Sequence, residues 1–313
     1  MKRTLTTLRS RFLQWRYNRG SQIKYYNFWG DQKPEEMWFT QFIKAHFPDK
    51  KLPRINFTSV LGAIENIQDN HNGINIFYTG ENLHADRFAK QLNKIEHQHY
   101  DLTLGFDIKR ENKYMRLPIW VLWCFPPDAD MQTIAKKVQA MRYPNVDNRN
   151  MFCCMICSHD QSGIRGHMMD ALSGIASVTS AGRFRQNTHD LQSKFNDDKV
   201  AYMRQFRFAI CPENSDREGY VTEKIFDAIS SGCIPVYRGS QNNPEPAIVN
   251  TNAVLLWDPQ GDNHELLELV NTLEHQPSAY QEFAKQPRLT AEAENIVWGY
   301  YEDLHNQMKN LLG

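Results

Sequence analysis

The sequence predicts an α/β protein of two domains, and three observations support that fold class. The chain has 313 residues, a usual length for two domains. Hydrophobic residues make up 41% and charged residues 23%, which is typical of globular proteins with ample material for a core. Apolar runs of strand length alternate with segments of helical spacing, a pattern typical of βαβ units and a largely parallel sheet.

The N-terminal half carries the first set of alternating elements. QIKYYNFW (22–29) predicts an opening strand, and the apolar side chains between 38 and 47 recur at helical spacing. GINIFYTGEN (73–82) is a second apolar run that ends in a polar turn, and a third strand is predicted around 102–106. The apolar run LPIWVLWCF (117–125) does not show by its pattern whether it is helix or strand.

Proline and polar residues cluster between 126 and 150 around a helical stretch, which predicts an interdomain linker. A second α/β unit follows, with these predicted elements: a strand at 151–160, a helix near 165–172, a strand in FRFAICPEN, a helix at 222–231, and strands in CIPVY and AVLLW. We therefore predict an N-terminal domain over 21–135, a linker over 136–150, a C-terminal domain over 151–285 and a helical segment over 286–313. In such pairs a ligand usually lies outside the carboxyl ends of the strands, here also between the domains.

Charge excludes one class of partner and leaves another open. Lys plus Arg equals Asp plus Glu at 36 each, and this balance argues against a general nucleic-acid binder. Residues 1–20 hold six basic side chains and no acid, with apolar residues three or four apart. A helix there would lie on an anionic membrane surface or pack on the body of the protein. Because we find no signal peptide and no apolar run of ~18 residues, we expect a cytoplasmic protein, free or peripheral to the inner membrane.

The cysteines predict no metal or redox site. There are six in the chain, and without a secretion signal we expect reduced thiols. Cys154 and Cys157 have the spacing of a metal or redox pair, but no second pair completes such a site. A buried strand explains the run MFCCMIC better.

The stretch CPENSDREGYVTEKIFDAISSGCIPVYRG (211–239) points most directly to a ligand. Thr222 suits a helix N-cap and Gly232 the left-handed residue after the helix end, so Glu223 and Lys224 occupy the first turn. Backbone N–H groups and the helix dipole favour a phosphate there. A lysine at this end opposes the dipole, which favours a ligand as the reason for its presence. Glu223, an acceptor only when ionised, suits sugar hydroxyls.

The same stretch resembles the signature of the α-1,3-fucosyltransferases of glycosyltransferase family 10, whose usual form is FENS…GYVTEK…G.VPVY.G. Pro212 stands where most members have Phe. Three further segments are similar to family motifs: IFYTGEN (76–82), YMRLPIW (114–120) and CSHDQSGIR (157–165). The resemblance covers the chain from about residue 22 to about residue 260.

The resemblance implies a GT-B type fold, two Rossmann-like α/β domains facing across a cleft. It implies an inverting α-1,3-fucosyltransferase that moves L-fucose from GDP-β-L-fucose to the GlcNAc 3-OH of an N-acetyllactosamine-type acceptor. Because the sequence shows no membrane anchor, we expect this activity to serve bacterial surface glycan (lipopolysaccharide O-antigen) synthesis. Glu81 is implied as the catalytic base. The donor-binding residues implied are Arg165, Asn214, Tyr220, Glu223 and Lys224.

These residue types suit the chemistry of inversion. A carboxylate must take the proton of the attacking hydroxyl, while an arginine and a lysine stabilise the departing diphosphate. No metal or other cofactor is then required. Asp128-Ala129-Asp130 has the DxD form of a metal site but is also explained by Asp130 capping a helix.

Two alternatives stay open at this point. The donor site is compatible with another linkage or acceptor, such as α-1,4 transfer or a different polysaccharide unit. A nucleotide-sugar-binding protein without catalysis is the alternative from a different class. The sequon at Asn56 to Thr58 is expected to be unused.

Overall fold

The computed structural model describes residues 16, 18–29, 32–67, 72–146 and 149–313. The chain forms two compact units, the first made of Met1–Asp130 and Val297–Gly313 and the second of Met131–Ile296. Most of the predicted basic segment, residues 1–20, lies outside the described residues. Within the described part of the chain, no helix is both long and apolar enough to cross a bilayer.

The first unit is built on a five-stranded parallel sheet with the order β1-β2-β3-β4-β5. Its elements are β1 (Ile23–Tyr26), α1 (Trp38–His46), β2 (Ile55–Thr58), β3 (Ile74–Tyr78), α2 (Ala89–Glu96), β4 (Leu102–Gly105), β5 (Tyr114–Arg116) and α3 (Ile119–Cys124). Aromatic side chains fill much of its core. The ring of Phe39 on α1 stacks on Phe57 of β2 with centroids 4.9 Å apart, so the helical spacing seen in the sequence buries α1 against the sheet.

The second unit contains a five-stranded parallel sheet with the order β10-β9-β8-β6-β7. Its elements are α4 (Met131–Arg142), β6 (Met151–Met155), α5 (Ile164–Ser173), β7 (Val178–Ser180), α6 (Asp190–Ser193), α7 (Lys199–Met203), β8 (Phe206–Pro212), α8 (Glu223–Ser231), β9 (Ile234–Arg238), β10 (Leu255–Leu256), α9 (His264–His275) and α10 (Pro277–Ala284). The last helix, α11 (Ala293–Leu312), belongs to the first unit from Val297 onward.

The strand order of the second sheet reverses beside β6. The chain runs from β6 to β7 at one edge, then returns to place β8 on the other side of β6. Such a reversal separates the loops that follow the two central strands and opens a crevice at their carboxyl ends, which is where ligands bind in open α/β sheets. The order of the first sheet has no such reversal.

The structure confirms the α/β class with parallel sheets, and it corrects some element predictions. The helical stretch predicted between 126 and 150 is found as α4, which buries Ile134, Val138 and Met141 and belongs to the second unit. The undecided run 117–125 contains α3. Strands β2, β5 and β7 were not predicted; β5 and β7 have three residues each, too few to show a period.

Candidate functional site

A small pocket of about 60 Å³ lies at the carboxyl ends of β6 and β8, at the reversal of strand order. Its walls come from the ends of both strands, from the helices α5 and α8 that follow them, and from α7, which precedes β8. Sulfur and aliphatic atoms form one side, and Arg165, Lys224, Glu223, Asp227 and Lys199 supply the charges. The pocket thus brings together three of the predicted donor-binding residues, Arg165, Glu223 and Lys224.

Lys224 is held by a buried carboxylate. Its Nζ lies 3.1 Å from Oε2 of Glu213, 2.8 Å from Oγ1 of Thr222 and 3.9 Å from Oε1 of Glu223. The Glu213 side chain is fully buried. Burial disfavours the charged form of Lys224, but the carboxylates of Glu213 and Glu223 outweigh this and raise its pKa. The ammonium is therefore fixed in place and stays charged.

The start of α8 differs from its predicted form in one respect. Thr222 occupies the N-cap position, yet its side chain makes no cap bond. Its N–H instead donates to Oε1 of Glu213 at 2.7 Å, and its hydroxyl donates to Oε2 at 2.8 Å. Because the hydroxyl is used in this way, it does not occupy the first-turn N–H groups of α8. The helix ends as predicted at Gly232, which has φ +86°.

Arg165 is fixed on α5 by contacts from two loops. Its side chain is 4% exposed, and its guanidinium donates to Oδ1 of Asn214 at 2.7 Å and to the carbonyl of His159. The Asp160 carboxylate accepts from the N–H of Arg165 at 3.2 Å and from that of Gly166 at 2.8 Å, so it caps the first turn of α5. The arginine therefore reaches the pocket from a rigid position.

Two predicted donor-binding residues, Asn214 and Tyr220, do not line the pocket. Asn214 is exposed in the loop after β8 and contacts Arg165, but it does not line the pocket. Tyr220 is 1% exposed and does not line the pocket either. A contact between these two residues and a donor stays a prediction.

The sequence reasoning did not place several residues in this pocket, among them Lys199, Asp227 and Cys157. Asp227 lies one turn beyond Glu223 on the same face of α8, a spacing that could have identified it. Burial, then repulsion from Glu223, raises the pKa of Asp227 to about 7. Cys157 also lines the pocket, and burial raises its thiol pKa to about 11. This thiol is therefore an apolar wall rather than a nucleophile.

Glu81, the predicted base, lies in the first unit just after β3. Its N–H donates to Oγ1 of Thr79 at 3.0 Å, and its Oε2 accepts from Nη2 of Arg87 at 2.7 Å. The side chain is 26% exposed and lines a cavity of about 550 Å³ within that unit. A partly exposed carboxylate beside a cavity is accessible to a bound hydroxyl group.

Of the residues considered for a metal, Cys154 and Cys157 line the pocket, whereas Asp128 and Asp130 do not. Asp128 and Asp130 follow α3, and Asp130 directly precedes α4. Cys153 and Cys154 are buried in β6, as the strand interpretation predicted, and all six cysteines are free thiols. Within the described ranges, no three His, Cys, Asp or Glu side chains are grouped so as to hold a metal ion.

Two family models cover most of the chain. Residues 23–123 match the alpha-(1,3)-fucosyltransferase FucT N-terminal domain, and residues 146–297 match the C-terminal domain of glycosyltransferase family 10 (fucosyltransferase). The chain belongs to glycosyltransferase family 10. The two matched regions correspond to the two structural units, each of which contains one parallel sheet.

The curated relatives of this chain include proteins named as fucosyltransferases. An alpha-(1,3)-fucosyltransferase FucT of Helicobacter pylori is 28% identical over 249 residues, which are 68% of this chain and 49% of that protein. An alpha-(1,4)-fucosyltransferase of Arabidopsis thaliana is 30% identical over 118 residues, 38% of this chain and 29% of that protein. The match thus spans about half the length of the Helicobacter pylori protein and less than a third of the Arabidopsis protein.

Solved structures show the same fold. A crystal structure of an α1,3-fucosyltransferase has a TM-score of 0.62 at 22% identity and covers 91% of this chain and 89% of its own. One with GDP-fucose has a TM-score of 0.58 at 21% identity, covering 90% and 89%. The predicted fold class, α/β of the GT-B type, is confirmed.

Proposed function

We propose that the chain is an inverting fucosyltransferase that moves L-fucose from GDP-β-L-fucose to the GlcNAc 3-OH of an N-acetyllactosamine-type acceptor. The assignment of the donor site depends on the pocket at the reversal of strand order, which we call the donor pocket. Arg165 and Lys224 bring two fixed positive charges to it, and Glu223 brings a hydroxyl-accepting carboxylate. A sugar diphosphate combines the anionic and hydroxyl groups that such a pocket recognises.

In the proposed reaction the acceptor oxygen attacks the anomeric carbon of fucose while the bond from that carbon to the diphosphate oxygen breaks. Glu81 takes the proton of the attacking hydroxyl. GDP leaves with the bonding electron pair, and Arg165 and Lys224 stabilise the charge that develops on its phosphate. Asn214 orients Arg165 through the 2.7 Å hydrogen bond. Attack opposite to the leaving group inverts the anomeric centre.

We further propose that no metal or other cofactor is required. Two cationic side chains can provide the countercharge to a diphosphate. Equal turnover with and without a chelator is the expected result, and loss of turnover that only a divalent cation restores would contradict this proposal.

The cellular role is proposed from the sequence. We place the enzyme in the cytoplasm, free or held at the inner membrane by residues 1–20, and in the synthesis of lipopolysaccharide O-antigen. Removing residues 1–20 should lower binding to anionic vesicles without lowering turnover of a soluble acceptor. Unchanged vesicle binding would remove the membrane part of the proposal.

The deciding experiment incubates the purified full chain with GDP-fucose and N-acetyllactosamine and determines the product linkage by NMR. An α-1,3-linked fucose supports the proposal in full. An α-1,4 linkage would support the alternative, which the 30% identity to the Arabidopsis alpha-(1,4)-fucosyltransferase favours. Donor binding without transfer would mean that the acceptor is a different saccharide or that the protein only binds the nucleotide sugar. Failure to bind GDP-fucose would overturn the proposal.

A further inference from the structure

Arg288 carries a guanidinium group into the interior of the second unit. The residue is 0% exposed, and its Nη1 donates to the carbonyl of Ala253 at 3.2 Å. Within the described part of the chain, its Nε and Nη2 have no hydrogen-bond partner. These two nitrogens share the edge of the guanidinium whose N–H bonds run side by side, and that edge binds anions bidentately. Since charged side chains are almost never fully buried unless they are paired, the free edge indicates a ligand.

Arg288 stays charged, and its surroundings do not supply a carboxylate. Burial lowers its pKa to about 10, which is still far above neutrality. The ionisable groups that act on its guanidinium are Tyr280, Cys233 and Arg149. The buried carboxylates among the described residues of this unit, Glu213 and Glu245, are not in that set. A buried cation without a countercharge from the chain is strongly unfavourable, which favours a bound anion.

Tyr280 provides another donor, and two further arginines add positive charge beside it. Tyr280 is 3% exposed, its hydroxyl has no partner among the described residues, and burial raises its pKa to about 12, so it is neutral and can donate. The guanidinium carbon of Arg207 lies 5.0 Å from the centroid of the Tyr280 ring, and its Nε donates to the carbonyl of Arg149 at 3.3 Å. Nη1 of Arg207 lies 3.1 Å from Oε2 of Glu274. Three arginines, counting Arg288, against this one carboxylate leave a charge of +2.

The thiol of Cys233 does not balance this excess. Burial opposes its ionisation, whereas a hydrogen bond from Cys154 and the nearby guanidinium groups lower its pKa. Its Sγ lies 3.1 Å from the carbonyl oxygen of Met203 and 3.2 Å from that of Phe206. Both oxygens accept from a neutral thiol and would repel a thiolate, so we assign the neutral form.

We propose that the second unit binds a small monovalent anion of the size of chloride at a basic cluster formed by Arg149, Arg207, Arg288 and Tyr280. The free edge of Arg288 grips the ion, and the hydroxyl of Tyr280 donates to it. A water molecule could accept these hydrogen bonds, but only an anion also balances the charge. None of the four residues lines the donor pocket, so the inference does not depend on the proposed function.

The test measures thermal unfolding of the full chain in mixtures of sodium chloride and sodium methanesulfonate at a fixed total concentration. Methanesulfonate keeps the ionic strength constant but carries a methyl group that the buried cluster would have to admit. We expect the melting temperature to rise with chloride, by about 3–5 °C for each tenfold increase above the dissociation constant. Equal melting temperatures in the two salts would overturn the proposal.

Two variants and a control locate the effect. R288M should melt at the same temperature in both salts, and in methanesulfonate at least as high as the wild type, because methionine removes the uncompensated charge. Since R288M keeps the donor pocket, chloride bound there would still act on this variant. Y280F removes only a hydroxyl and should weaken chloride binding about tenfold, and it decides the matter should R288M fail to fold. R204M, at an exposed arginine of the same unit, should respond to chloride as the wild type does.

Crystals soaked in sodium bromide show the ion directly, because bromide scatters anomalously and replaces chloride. We expect an anomalous peak within hydrogen-bond reach of Nε and Nη2 of Arg288 in the wild type and none there in R288M. Peaks at surface positions alone, an adventitious ion only, would overturn the proposal. So would an unchanged response to chloride in both R288M and Y280F. A thiolate absorbance at pH 7 that is lost in C233S would make Cys233 the countercharge and have the same consequence.

Discussion

The two units use the same kind of sheet in different ways. Both sheets have five parallel strands, but the order β1-β2-β3-β4-β5 is unbroken whereas β10-β9-β8-β6-β7 reverses beside β6. In the second unit, the reversal opens a pocket beside the ends of β6 and β8 and the helices α5 and α8. In the first unit the cavity lies instead between α2, β4 and the loop to β5. Strand order thus determines where each unit has room for a ligand.

The charged groups that carry the two proposed roles differ in sign and in burial. In the second unit, Lys224 is fixed by the buried Glu213, and Arg165 is 4% exposed and fixed by Asn214. In the first unit the carboxylates are partly exposed, with Glu81 at 26%. Buried, interlocked cations suit a permanent anionic ligand, whereas an accessible carboxylate suits a group that must gain a proton. The comparison therefore supports the proposal that the donor binds in the second unit and that Glu81 of the first unit accepts the proton.

The largest expected effect comes from Glu81→Gln. The amide keeps the shape of the side chain but cannot take a proton, so turnover should fall by about 10²- to 10⁴-fold. Affinity for GDP-fucose should stay unchanged, because none of the residues that line the donor pocket belongs to the first unit. Turnover and donor affinity are measured on the same preparation. Glu65→Gln, an exposed acid of the same unit, serves as the control and should behave as the wild type.

If Glu81→Gln instead weakened donor binding and left the turnover number intact, the division of roles between the units would be wrong. Since Glu81 contacts Arg87 at 2.7 Å, the fold of the variant should be checked by thermal unfolding. The amide can still accept a hydrogen bond from Arg87, so we expect a change of melting temperature of only a few degrees.

Much of the second unit could be predicted from the sequence because its signals are local. The run from Cys211 to Gly239 holds a strand, a loop, a helix and a C-terminal glycine, each with its own periodicity or turn residue. The role of Glu213 could not be predicted in this way. Its burial depends on how the loop folds back over α8. The sequence of a polar loop does not show whether a carboxylate in it faces water or Lys224. Packing, rather than local pattern, decided that contact.

The first unit shows the same limit more strongly. Glu81 was identified through a family motif. The contact between Nε2 of His84 and Oδ1 of Asp107, 3.2 Å apart, could not be predicted from their spacing, because they are 23 positions apart in the chain. They come together because β3 and β4 are neighbours and both residues follow the ends of these strands. Short strands such as β5 add to the difficulty, since three residues cannot show a period of two.

The second prediction separates two roles of Lys224, which are binding of the donor phosphate and neutralisation of the buried Glu213. Lys224→Met removes a positive charge from the donor pocket and leaves Glu213 buried without its ammonium partner. GDP-fucose affinity should fall by about 10- to 100-fold, the loss of one charge-assisted hydrogen bond, and stability should fall by about 3 kcal/mol because a buried charge is left uncompensated. Calorimetric titration and thermal unfolding measure the two effects.

Lys224→Met combined with Glu213→Gln sharpens this result. The neutral amide no longer needs the ammonium and can still accept a hydrogen bond from Thr222. We expect the double variant to recover a large part of the stability but none of the donor affinity. Recovery of both would show that Lys224 acts only by supporting the fold, and the cationic character of the donor pocket would then rest on Arg165 alone.

The smallest effect is a dependence on pH that arises from Asp227 in the second unit. Burial and Glu223 raise the pKa of Asp227 to about 7 from 3.8, so below pH 7 the folded protein holds a proton that the unfolded chain has released. Stability therefore falls as pH rises between these values. Above pH 7 the ionised Asp227 adds negative charge to the donor pocket. Affinity for GDP-fucose, whose diphosphate does not titrate in this range, should fall about threefold between pH 6 and pH 8.

Asp227→Asn should remove both effects. The variant should match the wild type near pH 4 and melt about 2–4 °C higher at pH 8, the shift expected for roughly 1 kcal/mol in a domain of this size. Its affinity for GDP-fucose should not change across the same range. A wild-type affinity that rises with pH would contradict the placement of Asp227 beside the donor phosphates. A drop equal in both proteins would assign the titration to a group other than Asp227.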